Sequence, residues 1–321
     1  MKRVTAGLIA SIAALATACS DSDSNSPLTP EAPLLQSYTL SSNDSVPEGV
    51  AYDSRDRAFY ATSLQGASIV RLDAAGQESI FRAADNRASL VGTKVDSTRR
   101  RLWVCAQEVD GVDNRVWVFD LESAQLDMEF ELGALSTGGS CNDLALSSDG
   151  VAYVTDPANP YLYRLDPETG TGEILATDPQ FNNIVSGADL GLNGIALTPD
   201  ETALIVGKFA PASLFRVSLP DADSIELMTL SGDTLPPPDG LMFFEDDLYT
   251  VSNNSVSRVR MNESFSAGEV VTVAQKSGLS TATVAESNLY VIKSEVFNFV
   301  IGAPLNLPFE IFQVDTATFD Q

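Results

Sequence analysis

The chain has 321 residues, 44 Asp and Glu against 19 Lys and Arg, a formal charge of −25 and no histidine. Such a charge repels phosphate backbones and anionic headgroups, so it argues against nucleic acid as a partner. It suits either a well-solvated surface or the attraction of cations. The missing histidine excludes a zinc site of the His/Cys type and any catalytic triad that needs an imidazole base.

Residues 1–18 read as an export signal: a basic start, Met1-Lys2-Arg3, then an apolar, alanine-rich stretch too short to span a bilayer comfortably. It ends in Ala16-Thr17-Ala18-Cys19, which resembles a bacterial lipoprotein signal with Cys19 as the lipidated N-terminus. The alternative is an ordinary secretory peptide cut near Ala18. Ser20 resembles the sorting pattern of outer-membrane lipoproteins. The mature protein is therefore expected to be exported and lipid-anchored to the outer membrane, on its periplasmic face or at the cell surface. Residues 19–32, rich in Ser, Asp and Pro, read as a flexible tether. Residues 33–321 are left for one large β domain, with no second apolar run that suggests a membrane span. In an oxidising compartment Cys105 and Cys141 form either a disulfide or two buried thiols.

Within that domain one phrase recurs: PEGVAYDSRDRAFYATS from Pro47, CNDLALSSDGVAYVTD from Cys141, GLNGIALTPDETALIVGK from Gly191 and PDGLMFFEDDLYTVSN from Asp239's neighbour Pro238. Aligned on the residue before Gly or Asp, the units start at Glu48, Val91, Asn142, Asn193, Asp239 and Ser280, with spacings of 43, 51, 51, 46 and 41 residues. Each unit has a short apolar run and a polar turn. A second β-rich run follows (AFYATS, RLWVCA, VAYVTD, ALIVGK, LYTVSN, LYVIKS), then a third (SIVRLD, RVWVFDL, YLYRLD, SLFRVSL, SVSRVRM, FEIFQVD). A fourth closes the first five units: ESIFRA, LDMEFEL, GEILAT, SIELMTL and EVVTVAQ. Six units of four strands predict an all-β, six-bladed β-propeller. The sixth unit lacks a fourth strand, and LLQSYTL, residues 34–40, lacks a partner. That N-terminal strand is expected to close the last blade and remove the open sheet edge.

The first strand of each blade lines the channel, so the recurring residues form a ring at one end of it. Glu48, Asn142, Asn193 and Asp239 each offer oxygen, which suits a hard cation such as Ca²⁺. The competing reading is that Asn-Gly and Asp-Gly only mark turns. The ends of the second strands, Ser63, Gln107, Asp156, Lys208, Asn253 and Lys293, rise to the same face. Lys208 and Lys293 either bind substrate oxygen or pair with neighbouring carboxylates. Trp103 and Trp117 read as packing residues.

PEG at 47–49, CND at 141–143, LNG at 192–194 followed by LTPDE, and PDG at 238–240 resemble the senescence marker protein/gluconolactonase/luciferin-regenerating-like family across residues 34–318. The resemblance implies a six-bladed propeller with one divalent cation in the channel mouth, held by Glu48, Asn193 and Asp239. It makes Asn142 a further ligand or a substrate contact, and Asp239 the candidate general base. Organophosphate-hydrolysing propellers use a similar Glu/Asn/Asn/Asp set, so a lactone and a phosphoester both stay open. Gly138-Gly139-Ser140-Cys141 stands where sugar lactonases carry an arginine, which weakens the case for a polar sugar lactone. The apolar segment VFNFVIGAPLNL, residues 296–307, is either a lid over a more apolar substrate or an extended loop on blade six. The expected activity is metal-dependent opening of a lactone by activated water, in a monomer acting on a small molecule. A non-catalytic propeller that binds a ligand or protein and keeps the cation for structure is the alternative; strictosidine synthase-like propellers fit less well.

Overall fold

The computed structural model describes residues 1, 32–43, 45–109, 114–182 and 190–316. The export signal and Cys19 fall outside the described residues, Met1 apart, as does the tether except Ala32. Leu34–Gln321 forms one compact unit. Among the described residues, no helix is long and apolar enough to cross a membrane.

The unit is a six-bladed β-propeller. Blade one is built from Pro47–Asp53, Ala58–Ser63, Ile69–Leu72 and Glu78–Arg82. Blade two follows with Ala88–Asp96, Arg101–Glu108, Arg115–Asp120 and Leu126–Glu131. Blade three uses Leu144–Leu146, Ala152–Thr155, Tyr161–Asp166 and Thr171–Thr177. Blade four uses Leu192–Leu197, Ala203–Lys208, Ser213–Ser218 and Ile225–Leu227. Blade five has Gly240–Phe244, Asp247–Ser252, Ser255–Met261 and Ala267–Gln275. Blade six has Leu279–Ala285, Asn288–Lys293 and Glu310–Val314. The innermost strands touch in sequence around a complete ring, the sixth meeting the first.

The core lies between blades rather than inside one. Six apolar clusters each join two neighbouring blades. Trp103 and Trp117 are fully buried in two of them, as packing residues. The last blade is completed by Ser37–Thr39, antiparallel to Glu310–Val314 with Tyr38 opposite Ile311. Tyr38 is 1% exposed and its ring lies 4.9 Å from Phe59 of blade one and 6.2 Å from Tyr290 of blade six. The closing strand therefore fills the seam between first and last blades as well as capping an edge.

One run departs from its expected form. SIELMTL divides: Ile225–Leu227 stays on blade four, while Thr229–Gly232 pairs in parallel with blade five. Met228, between them, is buried in the cluster joining these blades, so the chain crosses where its side chain inserts. The disulfide alternative also gives way. Cys105 and Cys141 are free, buried thiols in the cluster between blades two and three. They are hydrogen-bonded to each other, and Cys141 Sγ also donates to the Arg115 carbonyl at 3.5 Å. Burial pushes the Cys105 thiol well up, which suppresses the reactive thiolate.

Four inner strands are irregular at the same place. Their register with the second strand slips between Pro47 and Val50, Leu90 and Thr93, Leu192 and Ile195, and Leu279 and Ala282. Each slip contains a residue of the recurring set, and a bulge of this kind bends the strand and re-aims a side chain. The glycine that follows is a matter of space. A Cβ on Gly49 would lie 2.5 Å from the Val91 carbonyl oxygen, one on Gly92 2.5 Å from that of Asn142, and one on Gly194 2.4 Å from that of Asp239. Hydrogen bonds secure two of these contacts and the equivalent carbonyl of Asn193. Thr62 Oγ1 donates to the Val91 carbonyl at 2.7 Å, Gly92 N–H to Asn142 at 2.9 Å and Thr155 Oγ1 to Asn193 at 2.6 Å. Ser280 Oγ donates to the Glu48 carbonyl at 2.7 Å and closes the circle.

Urea unfolding checks two consequences. Tyr38→Ala should lower stability by about 3–5 kcal/mol, because a fully buried ring is removed from the closing seam. Gly49→Ala should lower it by about 1–3 kcal/mol through overpacking against the Val91 carbonyl.

Candidate active site at the channel mouth

A cavity of about 230 Å³ opens over the ring. Glu48, Asn142, Asn193 and Asp239 line it together, with Val91 and with Gln107 and Asn253 from the second-strand ends. Ser280, the sixth position of the ring, is fully buried, and its hydroxyl is spent on the Glu48 carbonyl. The acidic and amide groups lie deep: Glu48 is 7% exposed, Asn142 8% and Asn193 1%, while Asp239 is half-buried. Among the described residues, the rest of the wall is apolar, with Leu64, Leu190, Phe209, Leu279, Val296, Phe297 and Val300. The last three belong to a short helix, Val296–Val300, so part of the expected lid segment is helical and borders the cavity. A larger cavity, about 350 Å³, opens at the far ends of the inner strands; among the described residues Lys94 is the one charged residue lining it, and none of the ring residues borders it.

Burial sets the electrostatics. It pushes the Glu48 carboxyl well above its ordinary range, the charges of Asp239 and Asp143 add to this, and Lys94 opposes it. Asp239 is pushed up to about 7, first by burial; a hydrogen bond from Asn193 works against the rise and Asp143 adds to it. Several oxygens have no donor. Glu48 Oε2, Asn193 Oδ1 and Asp143 Oδ2 are buried and have no partner among the described residues. Buried acceptors are normally satisfied, so three around one channel need a reason. The donor set fits a hard, oxygen-seeking cation: two carboxylates and two amides around one cavity, with no imidazole in the chain. It is a mixed set. Among the described residues, no group of three or more His, Cys, Asp or Glu side chains is arranged to hold a metal.

Asp143 is the residue that motif reading passed over. It occupies blade three at the place where blades one, two, four and five carry the glycine after the ring residue, and that departure was its signal. Its Oδ1 accepts from Lys94 Nζ at 3.0 Å and from Leu144 N–H at 2.8 Å. The Lys94–Asp143 pair thus brings one positive charge beside the acidic ring.

The other second-strand ends are engaged in the scaffold. Lys208 is buried, donates to the Gln180 carbonyl at 2.6 Å and is not among the cavity-lining residues. Lys293 donates to the carbonyls of Asn306 and Pro308. Asp156 accepts from Tyr163 Oη at 2.7 Å and from the backbone N–H groups of Ser140, Ala158 and Asn159, which makes it a loop anchor.

A propeller with a carboxylate–amide ring at one channel mouth defines a class of binding and catalytic proteins. The SMP-30/gluconolactonase/LRE-like family model matches residues 46–276, well over half of the chain, and the protein belongs to that family. Among solved structures it resembles a gluconolactonase from Xanthomonas campestris, with 18% identity, a TM-score of 0.63, and coverage of 87% of this chain and 89% of that one. It also resembles the Malassezia sympodialis allergen Mala s 1, with 15% identity, a TM-score of 0.69 and coverage of 88% and 97%. A third is a PQQ-bound aldose sugar dehydrogenase from Streptomyces coelicolor, with 14% identity, a TM-score of 0.60 and coverage of 88% and 99%. At these identities the likeness is one of fold. No curated protein matches the chain. Membership of a lactonase-associated family supports an enzymatic role and the possible use of Ca²⁺.

The raised proton affinity of Asp239 has a sign that thermal unfolding can check. The folded, metal-free state holds a proton on Asp239 up to pH about 7, whereas the unfolded chain releases it near its ordinary 3.8. The folded state binds more protons in that window, so stability should fall as pH rises from about 4 to about 7. Asp239→Asn should flatten the slope.

Proposed function

We propose that this protein is a hydrolase that opens a lactone or a related ester with a water molecule activated at the channel mouth. The observation that carries this reading is the convergence of Glu48, Asn142, Asn193 and Asp239 on one cavity, with buried oxygens on Glu48 and Asn193 that no donor among the described residues reaches. Glu48, Asn193 and Asp239 would hold a divalent cation, preferentially Ca²⁺, with Asn142 as a further ligand or a contact to the substrate. When bound, such a cation supplies Lewis-acid polarisation of the substrate carbonyl.

The remaining chemistry belongs to the chain. Asp239 accepts the proton of the attacking water as general base. Water adds to the carbonyl carbon, the ring C–O bond breaks, and the departing oxygen takes up a proton to give a hydroxy acid. The apolar wall excludes bulk water and strengthens the interactions of the ring. No covalent nucleophile is needed. Export and anchoring through Cys19, and action as a monomer on a small molecule, complete the proposal and rest on the sequence around 16–20 and the absence of a dimer motif.

The test is calorimetric titration with Ca²⁺ of the fragment from Ser20, beside Glu48→Gln and Asp239→Asn, followed by assays on lactones, aryl esters and phosphotriesters. The expected outcome is about one Ca²⁺ per chain and lactone turnover, with binding weakened in both variants. In Asp239→Asn, kcat should fall about 10²- to 10⁴-fold at saturating Ca²⁺. Ca²⁺ binding without turnover of any substrate would favour a binding propeller. Turnover of phosphotriesters alone would move the reaction class.

A further inference from the structure

The cavity over the ring has two characters, and its outer part contains the information on substrate. Apart from the ring residues, Gln107 and Asn253 are its only polar lining side chains among the described residues. Gln107 is committed: its amide donates to the Cys141 carbonyl at 2.8 Å. Among the described residues, no Lys or Arg lines it. A polyhydroxylated ligand would lose its water against this wall and find few partners, and unpaired polar groups are expensive to bury.

The helix Val296–Val300 is braced in place. Glu295, fully buried before it, accepts from the side-chain amides of Asn298 and Asn306. Ser294 and Glu295 donate their N–H groups to the Gly278 carbonyl at 2.6 and 2.9 Å. Lys293 holds the returning segment by the carbonyls of Asn306 and Pro308. Val296 and Phe299 pack on the core between blades six and one. Yet Phe297 is 50% exposed and Val300 72%, one helical turn apart and both beside the cavity. A helix tied down this firmly holds an aromatic and an aliphatic side chain uncovered at the rim of a catalytic cavity, where an apolar ligand gains contact.

We propose that the ligand of this site carries an apolar alkyl or aryl arm that lies against Phe297 and Val300 while its lactone or ester group reaches the ring. The second half of that statement rests on the hydrolase reading above; the first half rests on the wall alone.

The test separates them by using ligands that are not hydrolysed. The Ca²⁺-loaded protein is titrated calorimetrically with γ-lactams whose alkyl arm grows from methyl to hexyl, and with gluconolactam. A Phe297→Ser/Val300→Ser variant is measured in parallel; both positions are exposed, so the fold should tolerate it. Affinity should rise about two- to fourfold per methylene, the upper figure corresponding to ~0.8 kcal/mol for a fully buried CH₂. The variant should lose most of that slope, and gluconolactam should bind more weakly than the hexyl lactam. A flat series, a slope unchanged in the variant, or tighter gluconolactam binding would overturn the proposal. Assays on the matching lactones then divide the claims. Chain-length-dependent binding without turnover supports the apolar-arm site and sinks the hydrolase reading. Turnover of gluconolactone with a flat lactam series does the reverse.

Discussion

The position of each blade is set largely by a peptide carbonyl. The oxygen of Val91, Asn142 or Asp239 presses on the glycine of the preceding blade, and hydroxyls or an N–H fasten the carbonyls of Val91, Asn142, Asn193 and Glu48. The side chain on the same residue is what the cavity receives. Blade spacing and site geometry are therefore one network, and a change that loosens one moves the other. This is why the recurring phrase pairs a polar residue with glycine: the first supplies chemistry and the second lets a neighbouring backbone come close enough to hold it.

The charge arrangement at the centre is unfavourable by itself. Burial raises the proton affinity of Glu48 and of Asp239, the charge of Asp143 adds to both and that of Asp239 to Glu48, and Lys94 is the cation that opposes the rise at Glu48. Buried acceptors without donors add to the cost. Both features have the same remedy, a positive charge that accepts several oxygens at once. Charge and oxygen inventory thus favour the same kind of ligand, a cation.

Most of the architecture could be read from pattern. AFYATS, ALIVGK, YLYRLD and SVSRVRM are strands with the expected bounds, because alternating β-rich runs between polar turns leave few other options. The four oxygen-bearing ring residues were legible because the same local conflict, a close backbone approach, is solved the same way in several blades. What pattern could not supply was direction. Lys208 ends its strand as expected but turns to the Gln180 carbonyl, and Asp143 stood in a glycine's place without its pairing to Lys94 being visible. The five-residue helix at Val296 is too short to show a period, and only contacts reveal that it is braced. The two thiols carry no signal at all for whether they meet as a bond or as neighbours.

The closing strand has a consequence for how the molecule is made. Ser37 pairs with Phe312, so an early segment of the domain waits for one made much later. Until then the apolar seam around Phe59 and Tyr290 lacks Tyr38, and blade six shows a bare edge. Contacts this distant in the chain slow folding, because a long loop must close before they are rewarded. The ring is thus completed only once blade six has been made, and a chain cut before Glu310 would lack the strand that receives Ser37–Thr39.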